Sequence, residues 1–209
     1  MTVQKIYTKN RFIEQLLKGW TQANQHYVEL LGKNDCCWWY NERTNVSVLA
    51  GAAWSLGWVA IEEYPSDKKM KGGVNSDNSM NTGRVDIYIT NGTDDIAIEA
   101  KQVWCNLDDI YQGSTIIHSG MNRARDDASR LIEQADLHFA ATFVIFYTKE
   151  NIKEKGIGKD IDSYLIDAME YINKEHISYA YLIDDENTFM TALGYYYPGV
   201  ALILEKVNG

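Results

Sequence analysis

Asp86, Glu99 and Lys101 carry charge inside two apolar runs where purely structural strands would not need it. The first run is Gly83-Arg84-Val85-Asp86-Ile87-Tyr88-Ile89, and the second is Asp95-Ile96-Ala97-Ile98-Glu99-Ala100-Lys101. Asn91-Gly92-Thr93-Asp94 joins them, so the pair predicts a β-hairpin with a short turn. By strand alternation Val85, Ile87 and Ile89 share a face with Asp86 opposite, while Glu99 and Lys101 lie opposite Ile96, Ile98 and Ala100. Pairing the runs gathers an Asp, a Glu and a Lys on one side of a sheet. Two carboxylates brought together repel unless a proton or a cation lies between them. A hard divalent ion such as Mg²⁺ suits that place, and it activates water and offsets phosphate charge. Acid, acid and lysine therefore suit metal-assisted phosphodiester hydrolysis. The competing reading is the wet face of an edge hairpin, with Glu99 and Lys101 paired laterally. Tyr88, Ala97 and Val103 weigh against it, because they make that face half apolar.

The neighbouring elements must position these charges. A helix is predicted over residues 41–57, with Val46, Leu49, Ala53 and Leu56 as its buried stripe. One turn before Val46 stands Glu42, aimed at the sheet from the helix start, with Asn41 as cap. A first-turn glutamate also simply favours the helix dipole, so Glu42 has a structural reading of equal weight. Residues 58–61 form a strand that Pro65 stops, and residues 66–82 read as a polar, flexible loop. Lys68, Lys69, Lys71 and Gly72-Gly73 make that loop a candidate basic flap over the site.

An N-terminal helix is expected over residues 8–31, through Leu16, Trp20, Ala23, Tyr27 and Leu30. Residues 103–121 show no period, and His118 there reads as a solvent-exposed loop histidine in preference to a base. Helices follow over residues 122–137 and 160–173, and strands over 141–147, 179–183 and 200–204. The 141–147 strand is apolar enough to be buried on both faces. The layout is α/β with a central mixed sheet flanked by helices. A single domain is expected, with its core over residues 41–148 and a C-terminal αββ extension over 149–209.

The 209 residues carry 20 Lys and Arg against 29 Asp and Glu, a net charge of -9. That balance argues against broad, nonspecific nucleic-acid affinity, which needs clustered cations, and leaves a local basic groove open. Cys36, Cys37 and Cys105 fit neither a zinc pattern nor an even disulfide set, so reduced thiols in a cytoplasmic protein are expected. No apolar run is long enough for a membrane span, and the N-terminus lacks the order of a signal peptide.

Gly83-Arg84-Val85-Asp86 with Ile98-Glu99-Ala100-Lys101-Gln102 resembles the PD-(D/E)xK nuclease superfamily, which has the restriction-endonuclease-like fold. Residues 41–148 are similar to its order of helix, three strands, helix and strand. The resemblance makes Asp86 the first metal-binding Asp, Glu99 the acidic member of the (D/E)xK, and Lys101 its lysine. Glu42 matches the glutamate many members carry on the preceding helix, and Gln102 occurs after the lysine in several branches. Val85 stands where the motif's Pro would be, a place the family often varies. The resemblance implies a metal-dependent nuclease, with DNA favoured over RNA. Asp86, Glu99, the Ala100 carbonyl and Glu42 would hold Mg²⁺ or Mn²⁺, and Lys101 would orient the attacking water. Arg84, Lys68, Lys69, Gln102 and Arg123 are the candidate nucleic-acid contacts. The alternative is an inactive nuclease-fold module, such as an immunity or regulatory protein with a basic protein partner. A homodimer stays open.

Overall fold

The computed structural model describes residues 2–69, 80–132, 135–150, 161–170, 173–184, 186 and 189–207. Its strands are β1 (Thr2–Tyr7), β2 (Val59–Lys69), β3 (Met80–Thr90), β4 (Asp95–Asn106), β5 (Leu137–Thr148), β6 (Ile177–Asp184) and β7 (Tyr196–Val207). They form one seven-stranded sheet in the order β1-β6-β7-β5-β4-β3-β2. Among the described residues only β4 and β5 pair in parallel, with Glu99 beside Ala140 and Lys101 beside Thr142. The helices are α1 (Arg11–Leu30), α2 (Glu42–Ser55), α3 (Ile110–Ala128) and α4 (Ile161–Ala168). The result is an α/β layout with a mixed sheet between helices. Among the described residues no helix is long and apolar enough to cross a membrane.

Each sheet face has its own core. Leu16 and Trp20 of α1 and Leu49 of α2 bury against Ile87, Ile89, Ile98 and Phe143. On the other face Ile117 and Met121 of α3 and Leu165 of α4 bury against Val103, Val144 and Phe146. Such side chains contribute about 1.5–3 kcal/mol each when fully buried. Asn10 and Asn41 cap α1 and α2 by accepting from the N–H groups of Ile13 and Thr44. Cys36, Cys37 and Cys105 are buried, unbridged thiols.

Several expected boundaries move. β1 precedes the first helix and pairs antiparallel with β6, Val3 beside Ile183 and Tyr7 beside Tyr179. The C-terminal strands belong to the same sheet, since β7 pairs with β5. Pro65 does not stop β2. The strand lies at the sheet edge, where a missing N–H is tolerated, and it continues to Lys69 beside Met80. Residues 66–69 and 80–82 of the expected loop are therefore strand, and Lys71 with Gly72-Gly73 lie outside the described residues.

The stretch without period resolves into the end of β4 and the first half of α3, capped by Asp109, whose side chain accepts from the Gln112 N–H. Gly113 and Gly120 sit two turns apart on α3 where the helix meets β4 and α4. A Cβ at Gly113 would lie 2.9 Å from the Cys105 sulfur, and one at Gly120 only 2.4 Å from Val103 Cγ1. These glycines mark close packing. α3 then ends at Ala128, earlier than expected, and α4 ends at Ala168.

Strand alternation also fails in β3. Val85 packs with Ala97 and Leu131 on the α3 side, whereas Ile87 and Ile89 face α1 and α2. The break falls at Asp86, opposite Glu63, which has a left-handed φ of 53°. An irregularity here turns Asp86 towards α2.

Candidate active site

β3 and β4 pair only from Ile87–Ile98 to Thr90–Asp95, and beyond that they diverge. The separation deprives β4 of ladder partners on that side, and unpaired buried N–H groups are costly. Two carboxylates take the place of the missing strand. Asp86 Oδ2 accepts from the Ala100 N–H at 2.7 Å, and Glu42 Oε2 accepts from the Gln102 N–H at 2.8 Å. A cavity of about 270 Å³ opens beside them, lined by Glu42, Arg43, Val46, Glu62, Glu63 and Asp86. Arg43 and Arg84 bridge to Glu63 at 2.5 and 3.3 Å, which holds its carboxyl below the usual range. The cleft is acidic, and Arg43 in its wall turns onto the same carboxylate as Arg84 outside its lining.

Glu99 lies on β4 between these contacts, and its side chain is only 5% exposed. Lys68 Nζ donates to its Oε1 at 2.6 Å. Gly83 makes this approach possible, because a Cβ there would meet Lys68 Cδ at 2.9 Å. Burial pushes the Glu99 carboxyl up to about 7; the Asp86 charge adds to the shift, while Lys68 and Lys101 oppose it.

Lys101 points to the α3 side. Its ammonium lies 2.9 Å from Asp127 Oδ2 and donates to the Ala100 carbonyl at 2.9 Å. Burial lowers its pKa, but the hydrogen bond and charge of Asp127, with Glu42 and Asp86 behind, raise it overall. Asp127 is also bridged by Arg130. Lys101 is thus a fixed cation; it has no proton-accepting form near neutral pH.

The strand–helix junction brings Asp86, Glu99, Lys101 and Glu42 into one electrostatic neighbourhood. The remaining candidates separate. Lys68 is no open phosphate contact, since its ammonium is tied to Glu99. Gln102 is no free reader either: its Oε1 accepts from Asn45 at 2.9 Å and its Nε2 donates to the Tyr40 carbonyl at 3.1 Å. It clamps the start of α2 and so positions Glu42. Arg84 is exposed and leans on Glu63. Arg123 is exposed on α3, one turn before Asp127. The Lys69 side chain lies outside the described residues. His118 is in a helix and not a loop, half-buried, with Nδ1 3.2 Å from the Ala168 carbonyl. It links α3 to α4.

Sequence reasoning missed Asp127 and the Glu99 partnership of Lys68. Asp127 had a faint signal, standing beside the inward-facing Ala128 on α3. Lys68 had none, because Pro65 reads as the end of its strand.

The donors of this site are hard oxygens, the kind Mg²⁺ and Mn²⁺ take. Asp86, Glu99 and the Ala100 carbonyl fit such an ion chemically, two carboxylates with water being a common Mg²⁺ arrangement. Among the described residues, however, no three His, Cys, Asp or Glu side chains form a ready metal-holding group. Two lysine ammoniums stand on the relevant oxygens instead. Comparison with protein-family models, curated proteins and solved structures returned no match to this chain.

Proposed function

We propose that this protein is a metal-dependent nuclease of restriction-endonuclease-like architecture that hydrolyses phosphodiester bonds, with DNA as its substrate. The observation that carries the reading is the convergence of Asp86, Glu99, Lys101 and Glu42 from β3, β4 and α2 where the two strands part. The order α2, β2, β3, β4, α3, β5 supports it as well, being the order of that nuclease core. Asp86, Glu99 and the Ala100 carbonyl are the groups to hold Mg²⁺ or Mn²⁺, with Glu42 beside them. The bound ion supplies an activated water and neutralises phosphate charge.

The chain's own residues do the rest. Lys101, held charged by Asp127, places a fixed positive charge for the phosphate and orients the incoming water. Glu42 and Asp86 brace the β4 backbone, so the Ala100 carbonyl and the Glu99 side chain keep their positions. Lys68 holds Glu99 in place.

The test is incubation of the purified protein with single-stranded, duplex and branched DNA and RNA in Mg²⁺, Mn²⁺ or EDTA. Cleavage is expected in the metals alone, and Lys101→Ala should lower it by about a hundredfold or more while circular dichroism stays unchanged. No cleavage of any substrate, together with no metal binding by calorimetry, overturns the proposal.

One observation favours a second reading, that of a binding module. Each acidic group already has an internal partner, and Glu42, Glu62, Glu63 and Asp86 line a cleft suited to a basic protein surface. The same assay separates the two.

A further inference from the structure

We propose that the open cleft formed by Trp104, Tyr147, Tyr195 and Tyr197 binds an unpaired nucleobase of single-stranded DNA. The cleft encloses about 250 Å³ and is lined by those four aromatic side chains. Trp104 is 37% exposed, an unusual place for so large an apolar group on a central strand. The rings prop one another edge to face: Trp104 meets Tyr197 at 5.6 Å and 75°, and Tyr147 meets Tyr195 at 5.5 Å and 74°. Trp39 and Phe189 back Tyr197, each 5.9 Å away. The rings hold one another in place before anything enters, which limits the ordering entropy lost on binding.

A cation marks the rim. Lys149 Nζ lies 4.8 Å from the centre of the Tyr195 ring, and its backbone N–H is anchored by Asp108. An aromatic cleft that is as much polar as apolar, with an ammonium at its edge, matches a planar, hydrogen-bonding ring attached to a phosphate. Base–aromatic stacking needs no hydrogen-bond code, and among the described residues the lining holds no carboxylate or amide side chain, its polar groups being the hydroxyls of three tyrosines and the Trp104 indole N–H. Stacking favours an exposed π-face, and only an unpaired base presents that face. A duplex held by its phosphates would need clustered cations, which a net charge of -9 does not favour.

Position joins the cleft to the neighbouring site. Ala100, Gln102 and Trp104 alternate onto one face of β4, and the Gln102 N–H is bonded to Glu42. From Ala100 to Trp104 the strand advances about 13 Å, the reach of about four stacked nucleotides. A strand seated in the cleft can pass over the acidic junction. The proposal rests on the nucleic-acid reading given above for its choice of occupant, but not on catalysis.

The test measures binding of the full chain in EDTA by fluorescence anisotropy, with short oligothymidylate, oligouridylate and a matched duplex as probes. Oligothymidylate is expected to bind the wild-type chain. Trp104→Ala should weaken it by about five- to a hundredfold, as loss of one stacked base does, and Trp104→Phe should keep most of the affinity. Circular dichroism confirms that each variant is folded. The proposal is overturned if no strand binds, if Trp104→Ala binds like wild type, if the duplex binds as tightly, or if oligouridylate is preferred. Binding to the cleft with no cleavage of any substrate and no metal binding by calorimetry defeats the nuclease reading alone. Cleavage with binding indifferent to Trp104 defeats this cleft alone.

Discussion

Glu99 stands between opposing forces. Burial disfavours its charge and Asp86 repels it, while Lys68 at 2.6 Å and the Lys101 cation favour it. Burial prevails, and the carboxyl rises from its ordinary 4.5 to about 7. The folded state then holds the proton more tightly than the unfolded chain does. Its contribution to stability is full below pH 4.5 and is lost as pH rises through about 7. At about 1.4 kcal/mol per unit the whole effect is roughly 3 kcal/mol. In EDTA, the unfolding free energy of wild type relative to Glu99→Gln should therefore fall between about pH 5 and pH 8. Urea denaturation at several pH values measures it, and a flat difference curve means that Glu99 ionises normally. Asp86, Glu99, Lys101 and Glu42 were legible in the sequence because charge in an apolar run, or one helical turn before a stripe, is a local signal. Their partners were not. Lys68 reaches Glu99 from two strands away, and Asp127 reaches Lys101 from α3, so both depend on tertiary placement.

At the scale of elements, α3 must lie close enough to β4 for Asp127 to reach Lys101. Gly120 sets that distance, with Val103 Cγ1 and Thr142 Cγ2 directly against the helix backbone. A methyl there meets a β-branched side chain that cannot rotate away cheaply. Gly120→Ala is expected to cost about 1–3 kcal/mol, although alanine is the better helix former. Thermal or urea unfolding checks it, and an unchanged midpoint means that α3 does not pack as closely as this. The same contact explains why half of α3 was hidden. Glycines at positions 113 and 120 look like breakers until the strand beneath them is known. Pro65 misled similarly, because only the sheet order reveals that β2 is an edge. The helices at 11–30 and 42–55 and the buried strand 137–148 were plain, since long apolar periods need no partner to be read. Asp86 broke the alternation that predicted its direction. Its backbone irregularity opposite Glu63 has no signature in residue types.

Over the whole molecule, charge limits how the proposed nucleic-acid partner could be held. The net charge is -9, and the cations nearest the site are already paired: Lys68 with Glu99, Lys101 with Asp127, Arg43 and Arg84 with Glu63. Lys149 at the aromatic cleft is exposed and rests on a ring. Each phosphate neutralised on a single strand contributes about 0.7 to the slope of log affinity against log salt. With Lys149 and at most one of the exposed arginines engaged, the slope for oligothymidylate should lie between about −0.7 and −1.4. Affinity should then fall by less than about tenfold between roughly 50 and 200 mM salt, far less than a protein tracking a duplex backbone would lose. Anisotropy titrations across that range decide the matter. A slope steeper than about −4 requires a continuous basic track, and strand recognition would then be electrostatic. A shallow slope that steepens no further when Trp104→Ala removes most of the affinity identifies stacking as the main attraction. That outcome would also explain how so acidic a chain meets a polyanion: it binds the rings of the strand and leaves most of the phosphates in solvent.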